Sequence, residues 1–157
     1  MRRLSDDQDY NLWALLAQTR HAAFKARQKE LDRYNIRPRR AAILYIIQAI
    51  GDEATPAEIS RWSFREPHST SVLLGAMEKE GLIKKSKNLH RKNQIRVELT
   101  EKGREAYNQT LNRESIHEIM SCLSEEEHQQ LRVYLEKLLD KTLKWIAMRN
   151  GVDLPPS

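Results

Sequence analysis

The chain has 157 residues, of which 39% are hydrophobic and 31% are charged, and its formal net charge is +5. This composition predicts one folded domain, or two small domains packed closely together, and excludes a disordered chain. The single cysteine, Cys122, excludes an internal disulfide, and the longest apolar run, residues 41–47, is too short to span a bilayer. The first residues lack a signal-peptide pattern, so we expect a cytoplasmic protein with no membrane partner.

The positive charge is concentrated in one quarter of the sequence. Residues 61–96 contain nine Lys or Arg and three Glu, whereas the rest of the chain has one more acidic than basic residue. Such a concentrated field suits a polyanion, because each neutralised phosphate releases condensed counterions. On charge alone, a solvated basic surface without a partner is equally compatible.

The first third of the chain predicts two helices. Apolar residues recur at three- and four-residue steps from Leu12 to Ala26, which predicts an amphipathic helix over residues 6–34. Pro38 then begins a second, buried helix that ends at Gly51.

The middle of the chain predicts two short helices and a hairpin. Thr55-Pro56-Ala57-Glu58 is a capping box that starts one helix, and Glu66-Pro67 starts another, which Gly81 ends and whose inner face includes Val72. Leu82-Ile83 is expected to be a short buried strand, and the alternation over residues 95–99 predicts its partner. The polar stretch 84–93 is then the hairpin tip.

The last third predicts two long helices. Thr100 is positioned to cap one that runs to about Cys122, and Ser124 to Glu127 form a second capping box that opens a helix to about Arg149. The predicted order is therefore α-α-α-α-β-β-α-α. This is a mainly α fold with a small β-hairpin, that is, a winged helix-turn-helix plus a helical dimerisation domain.

The fourth helix has the chemistry of a DNA-recognition helix. Its first turn carries short polar side chains that hydrogen-bond base edges, and its free amides suit a phosphate. Ser and Thr at a helix start are also common as simple caps, but consecutive polar residues exceed what capping requires. The predicted base-reading residues are His68, Ser69, Thr70 and Ser71.

The hairpin is basic, and no acid occurs from Leu82 to Val97. A solvated turn usually mixes signs, whereas a wing of one sign can straddle the DNA backbone and insert Arg91 or Lys92 into a minor groove. The predicted wing and backbone contacts are Arg61, Arg65, Lys84, Lys87, His90, Arg91, Lys92 and Arg96.

Residues 55–104 resemble the MarR family of transcription regulators. The resemblance rests on Thr-Pro-Ala-Glu-Ile-Ser, Met-Glu-Lys-Glu-Gly-Leu-Ile and Val-Glu-Leu-Thr-Glu-Lys-Gly-Arg. It implies a homodimer that reads a pseudo-palindromic operator, with residues 1–36 and 101–157 in the dimerisation region and 37–100 in the DNA-binding domain. The sequence departs from the family at the wing, where Leu89-His90-Arg91 lacks the aspartate that commonly braces a basic residue.

Two further features favour a dimer. The first and last helices carry apolar faces with aromatic members, Tyr10 and Trp13 in one and Tyr134 and Trp145 in the other, which a monomer would leave exposed. Two copies would also place two recognition helices on the order of 34 Å apart, one turn of DNA. The alternative is that both helices pack on their own winged module.

The resemblance also implies a cleft for a small aromatic or phenolic effector. By position its lining would include Tyr34, Arg37, Arg39 and Arg40, and the arginines would meet a carboxylate, although solvent or a phosphate is the better interpretation of these cations. Cys122 precedes three glutamates and lacks the cationic surroundings of a redox thiol. His21, His117 and His128 lack the spacing of a metal site, so we expect no metal.

Other functional classes find less support. The sequence contains no phosphate-binding glycine loop, His-Glu-x-x-His pair or nucleophile elbow, so we expect neither an enzyme nor a cofactor. A winged module that binds an acidic protein partner is the main alternative to DNA binding.

Overall fold

The structure is a computed structural model that describes residues 5–87 and 94–150, with side chains up to residue 148. Nine regular elements follow one another in this part of the chain, together with a 3-10 turn at Gly51–Glu53. The elements are α1 (Gln8–Asp32), α2 (Pro38–Ile50), α3 (Pro56–Trp62), α4 (Pro67–Lys79), β1 (Ile83–Lys87), β2 (Ile95–Leu99), α5 (Glu101–Thr110), α6 (Glu114–Met120) and α7 (Glu125–Asn150). The predicted mainly α fold with one hairpin is confirmed.

Local capping sets the beginnings of three helices, as predicted. The hydroxyl of Thr55 accepts a hydrogen bond from the Glu58 amide at 3.2 Å, and the hydroxyl of Thr100 accepts one from the Gly103 amide at 3.0 Å. Ahead of α7 the capping box is reciprocal: the Ser124 amide donates to the Glu127 carboxylate at 2.8 Å, and the Glu127 amide donates to the Ser124 hydroxyl at 3.2 Å. Each cap satisfies amides that a helix start leaves unpaired.

The hairpin is antiparallel, with Ile83 opposite Leu99 and Lys87 opposite Ile95. The prediction of a two-residue first strand was wrong, because β1 continues through four residues that had been assigned to the tip. Cross-strand pairing with β2 keeps these polar residues extended, and alternation places their side chains on both faces. The amide of Val97 also donates to the carbonyl of Ala54 at 2.8 Å, which joins β2 to the loop before α3.

The prediction of a single helix from Thr100 to about Cys122 was also wrong, because the chain forms two helices here, α5 and α6, with a break between them. Arg113 adopts a left-handed conformation at the break, with φ 53°. The buried carboxylate of Glu30 accepts hydrogen bonds from the amides of Glu114 and Ser115 at 2.8 and 3.1 Å, and also from the Ser115 hydroxyl. A side chain of α1 therefore caps α6.

The hydrophobic core lies among α2, α3, α4 and the hairpin. Its fully buried members include Leu44 from α2, Ile59 from α3, Leu74 and Met77 from α4, and Val97 from β2. The end of α1 and the middle of α5 join the same core through Leu31 and Ala106. The predicted division into residues 37–100 and the two flanking segments stays a prediction.

The beginning of α5 packs closely on the connection between α4 and β1. A Cβ atom at Gly103 would lie 1.9 Å from the carbonyl oxygen of Leu82, so only glycine allows this approach. The amide of Thr100 donates to the same carbonyl at 3.1 Å. In residues 5–87 and 94–150, no helix is long and apolar enough to cross a membrane.

We predict that Glu30→Gln destabilises the fold by roughly 2 kcal/mol at pH 7, because it weakens a cap and leaves Arg27 without its buried counter-charge. Arg27 lies 2.7 Å from the Glu30 carboxylate, which is almost completely buried. Chemical denaturation monitored by circular dichroism measures the loss. The control is Glu114→Gln, which removes an exposed acid paired with Arg33, and which should change stability by less than about 0.5 kcal/mol.

The stability difference between the wild type and Glu30→Gln should also depend on pH. Burial by itself would raise the pKa of Glu30, but hydrogen bonds from Ser115 and Arg27, together with the Arg27 charge, lower it from 4.5 to about 2. A carboxyl whose pKa is lower in the folded state stabilises the fold above its unfolded pKa. The stability difference between wild type and Glu30→Gln should therefore be complete above pH 4.5 and disappear as the pH falls towards about 2. A constant difference across this range would show that the ionised cap is not its source.

Candidate nucleic-acid interface

The turn between α3 and α4 orients the predicted recognition helix. The Ser60 hydroxyl donates to the Arg65 carbonyl at 2.6 Å, and the Arg65 amide donates to the Ser60 carbonyl at 3.1 Å. Phe64 occupies the left-handed region, with φ 51°, which allows the chain to reverse between the two helices. The two helices and this tight turn form a helix-turn-helix.

The first turn of α4 places three of the four predicted residues at the surface. His68, Ser69 and Ser71 are exposed. Thr70 is completely buried, so the prediction that its side chain faces DNA was wrong. Helical periodicity explains this, because Thr70 shares the inner face with Leu74 and Met77.

Val72 was also assigned to the wrong face. It had been predicted on the inner face of α4, but its side chain is 61% exposed, beside Ser69 and Ser71. An exposed apolar side chain next to polar ones matches a base edge that presents a thymine methyl group. Sequence reasoning missed Val72 because an apolar residue in an amphipathic helix is assigned to the core by default.

Several predicted wing cations are already paired within the protein. Lys84 lies 3.1 Å from Glu98, and Arg96 pairs both with Glu98 at 3.0 Å and with Asp52. The hydrogen bond from Lys84, opposed by burial, lowers the pKa of Glu98. Lys85, on the other face of β1, lies 3.1 Å from Glu78. Lys87 is exposed at the end of β1, while His90, Arg91 and Lys92 lie outside the described residues.

The two predicted backbone contacts near α3 differ in accessibility. Arg61 is exposed and lies 3.3 Å from Glu58 on its own helix. Arg65 is half-buried, and among the described residues its Nε is a buried donor without a hydrogen-bond partner. Arg61 is therefore placed as a surface cation, whereas Arg65 is turned partly towards the interior.

The predicted effector residues line three cavities, of which one of about 290 Å³ is lined by Arg37, Arg39 and Arg40 together. Tyr34, Arg37 and Arg40 line a cavity of about 420 Å³ between α2 and α5. Within it, Arg40 makes a bidentate ion pair with Glu80, whose Nε–Oε2 distance is 2.6 Å. Hydrogen bonding to Glu80 raises the pKa of Arg40, and the same hydrogen bond lowers the pKa of Glu80. Arg40 is thus already neutralised by a carboxylate.

Arg39 lines a different cavity of about 790 Å³, which we call the α1–α2 cavity. This cavity extends from α1 across α2 to the α3–α4 turn and the α5–α6 break. It combines aromatic walls with cations, among them Arg65 immediately before the recognition helix. Its aromatic residues are Phe24, Tyr45 and Trp62, and its arginines are Arg20, Arg27, Arg39, Arg65 and Arg113.

Among the residues that the structure describes, neither Cys122 nor the histidines form a recognisable site. Cys122 is exposed, and its thiol donates to the Ile119 carbonyl at 3.2 Å. Over residues 5–87 and 94–150, no three His, Cys, Asp or Glu side chains are grouped so that they could hold a metal ion.

Comparison with known structures identifies the fold. The organohalide-sensing transcriptional regulator RdhR, in its form bound to 2,4-dichlorophenol, is 29% identical and superposes with a TM-score of 0.83 over 100% of this chain and 98% of its own. A cysteine-to-serine mutant of E. coli MarR complexed with operator DNA is 19% identical, with a TM-score of 0.76 over 82% of this chain and 93% of its own. This is the MarR-family fold.

A second DNA complex has the same MarR fold. The S. aureus MepR–DNA complex is 22% identical, with a TM-score of 0.77 over 87% of this chain and 99% of its own. RdhR is a transcriptional regulator, and the MarR and MepR structures are complexes with DNA. None of the three is described as an enzyme. No protein-family model and no curated protein sequence matches the chain.

Substitutions in α4 should separate the buried from the exposed positions. We expect Thr70→Val to stabilise the fold by about 1 kcal/mol, because its buried hydroxyl has no partner among the described residues. The same change should leave affinity for a duplex within about twofold. Ser69→Ala, at an exposed position, should leave stability unchanged and alter the preference between operator variants by about 1 kcal/mol, because a hydroxyl contributes a single neutral hydrogen bond to a base edge.

Thermal unfolding and fluorescence anisotropy on a panel of operator variants measure both effects. If Thr70→Val changed operator preference as much as Ser69→Ala does, the assignment of Thr70 to the core would be wrong. Uniform loss across all operator variants for Ser69→Ala would contradict base reading at that position.

Proposed function

We propose that this protein is a sequence-specific regulator that binds double-stranded DNA, acting as a repressor. The observation that carries the proposal is the exposed polar first turn of α4, presented by a helix-turn-helix beside a basic hairpin. A helix of this kind fits the major groove, and the unpaired amides at its beginning suit a phosphate. The structural similarity to MarR complexed with operator DNA and to the MepR–DNA complex supports the same orientation of α4.

The active form is proposed to be a homodimer on a pseudo-palindromic operator. Helices α1 and α7 both expose many apolar side chains, and monomeric soluble proteins rarely expose so much apolar surface. A second copy covers such faces symmetrically and brings two copies of α4 to one face of the duplex. Residues 1–36 and 101–157 would then form the dimerisation region, and 37–100 the DNA-binding domain. The exposed side chains are Tyr10, Leu12, Trp13, Leu15 and Leu16 on α1, and Val133, Tyr134, Leu135, Leu138, Leu139, Trp145 and Ile146 on α7.

An aromatic effector is proposed to release the DNA by binding in the α1–α2 cavity. A volume of about 790 Å³ with aromatic walls suits a small aromatic molecule. The buried, unpartnered Nε of Arg65 offers a hydrogen bond to such a ligand at the residue that leads into Glu66 and α4. The cavity of about 420 Å³ is less suitable because Arg40, which lines it, is already paired with Glu80. RdhR bound to 2,4-dichlorophenol and CouR bound to p-coumaroyl-CoA are ligand complexes of structures similar to this one.

We expect the purified protein to select a pseudo-palindromic duplex from genomic fragments and to bind it with two chains per site. Affinity should decrease steeply with salt, because Lys and Arg side chains displace counterions from phosphates. Arg91→Ala combined with Lys92→Ala should weaken binding to every duplex and reduce the slope of log affinity against log salt by up to about two. Sequencing of the retained fragments identifies the selected duplex, and anisotropy titrations at several salt concentrations, with analytical ultracentrifugation of the complex, measure the salt slopes and the number of chains per site.

The control for the wing variant is Lys137→Ala combined with Lys141→Ala, which removes two exposed positive charges from α7, away from the hairpin. These changes should leave the slope nearly unchanged. Equal affinity for all duplexes would contradict a specific regulator. Failure to bind any duplex, with binding to an acidic protein retained, would favour the protein-interaction alternative.

For the effector we expect 2,4-dichlorophenol or its carboxylate counterpart 2,4-dichlorobenzoate to displace the bound duplex. Arg39→Gln should raise the concentration of the active compound required for half release by about tenfold, because it removes one charge-assisted contact. Arg37→Gln changes an arginine that lines the cavities of about 420 and 290 Å³ and not the α1–α2 cavity, and it should have little effect. Titration of the preformed complex with each compound, followed by anisotropy, measures the release.

An effect of Arg37→Gln without an effect of Arg39→Gln would move the effector to the cavity of about 420 Å³. If neither compound releases DNA or quenches tryptophan fluorescence at millimolar concentration, the aromatic-effector proposal fails, and DNA binding is unaffected by that result.

A further inference from the structure

Arg96 lies in the basic hairpin, but its guanidinium group points back to the protein. It pairs with Glu98 on its own strand at 3.0 Å, and with Asp52 in the 3-10 turn after α2. Its side chain is 31% exposed, and its Nε is buried. A cation held between two carboxylates is poorly placed to give its charge to a phosphate.

Asp52 contributes this contact from outside the hairpin. The 3-10 turn that carries Asp52 begins at Gly51, whose φ of 68° turns the chain at the end of α2. Two residues after Asp52, the carbonyl of Ala54 accepts the amide of Val97 at 2.8 Å. Residues 52–54 and 96–97 are therefore joined both by an ion pair and by a main-chain hydrogen bond.

The ion pairs of Arg96 continue onto the first strand of the hairpin. Lys84 is opposite Glu98, and Ser86 is opposite Arg96, so the side chains of all four lie on one face of the hairpin. Lys84 completes a chain of charges in the order Asp52, Arg96, Glu98, Lys84. Asp52 is itself 91% exposed, so its pair with Arg96 contributes as one member of this network and not as an isolated surface pair.

We propose that Arg96 is a positioning residue, which with Asp52 braces the hairpin against the end of α2 and so sets the wing relative to α4. Its effect on DNA affinity comes through this orientation and not through a phosphate contact. The inference rests on the proposed DNA-binding function for its effect on affinity, but the brace itself is a property of the free protein.

The sign of the Asp52→Asn effect distinguishes a brace from a phosphate contact. If Arg96 braces the hairpin, Asp52→Asn weakens operator binding by about three- to tenfold, and Asp52→Glu restores most of the affinity. If Arg96 contacts a phosphate, loss of the competing acid frees the arginine, and Asp52→Asn binds more tightly. The control is Glu66→Gln, which removes an exposed acid immediately before α4 without altering β2, and which should leave affinity unchanged or higher.

A double-mutant cycle of Asp52 and Arg96, together with amide hydrogen exchange, tests the brace in the full chain. Arg96→Gln should weaken binding with little change in the salt slope, and the double variant with Asp52→Asn should be no weaker than Arg96→Gln alone. In the free protein, exchange of the Val97 amide should be at least about fivefold faster in both single variants, whereas Lys87→Gln should leave it unchanged.

Unchanged Val97 exchange in both single variants would overturn the brace, whatever the DNA results. A salt slope reduced by about one in Arg96→Gln, with tighter binding by Asp52→Asn, would make Arg96 a phosphate contact and overturn it as well. If the wild type binds no duplex, the proposed function fails, and the exchange measurement still decides the brace.

Discussion

The carboxylate of Glu30 holds the junction on which the course of the C-terminal third depends. It accepts hydrogen bonds from two amides and a hydroxyl at the beginning of α6, and it pairs with Arg27. Arg27 in turn donates to the carbonyl of Thr110 at 2.6 Å, so the end of α5 is fixed from the same place. A buried carboxylate without these partners would be costly, and α6 would begin with unpaired amides. The cap and its burial therefore stabilise each other.

The position of α7 depends on this junction because only four residues separate it from α6. Helix α1 carries Glu30 near one end and its most exposed apolar side chains near the other. A helix keeps these two ends in a fixed relation, so an anchor at Glu30 also fixes the orientation of the apolar face. The proposed dimer surface on α1 and α7 is thus built on a buried polar contact.

The charge of the hairpin acts at two distances. Its net excess creates a positive field that attracts a polyanion whether or not individual cations have acidic partners. At contact range the partners matter, because Lys84, Lys85 and Arg96 are each within 3.1 Å of a carboxylate. The net charge of the hairpin can therefore attract DNA at long range, while the paired cations Lys84, Lys85 and Arg96 act at contact range within the protein.

The sequence by itself determined the element order as far as the beginning of α5, the helix starts at Thr55, Thr100 and Ser124, and the basic hairpin that follows the recognition helix, because caps and periodicity are signals between near neighbours. Only the tertiary structure decided the break before α6, since Glu30 lies 84 residues from the amide it caps. It also placed Thr70 inside and Val72 outside, because the rotation of α4 depends on the core beneath it. Two of the acids that pair with the wing cations, Asp52 and Glu78, come from the turn after α2 and from α4, and contacts between separate segments leave no local pattern in the sequence.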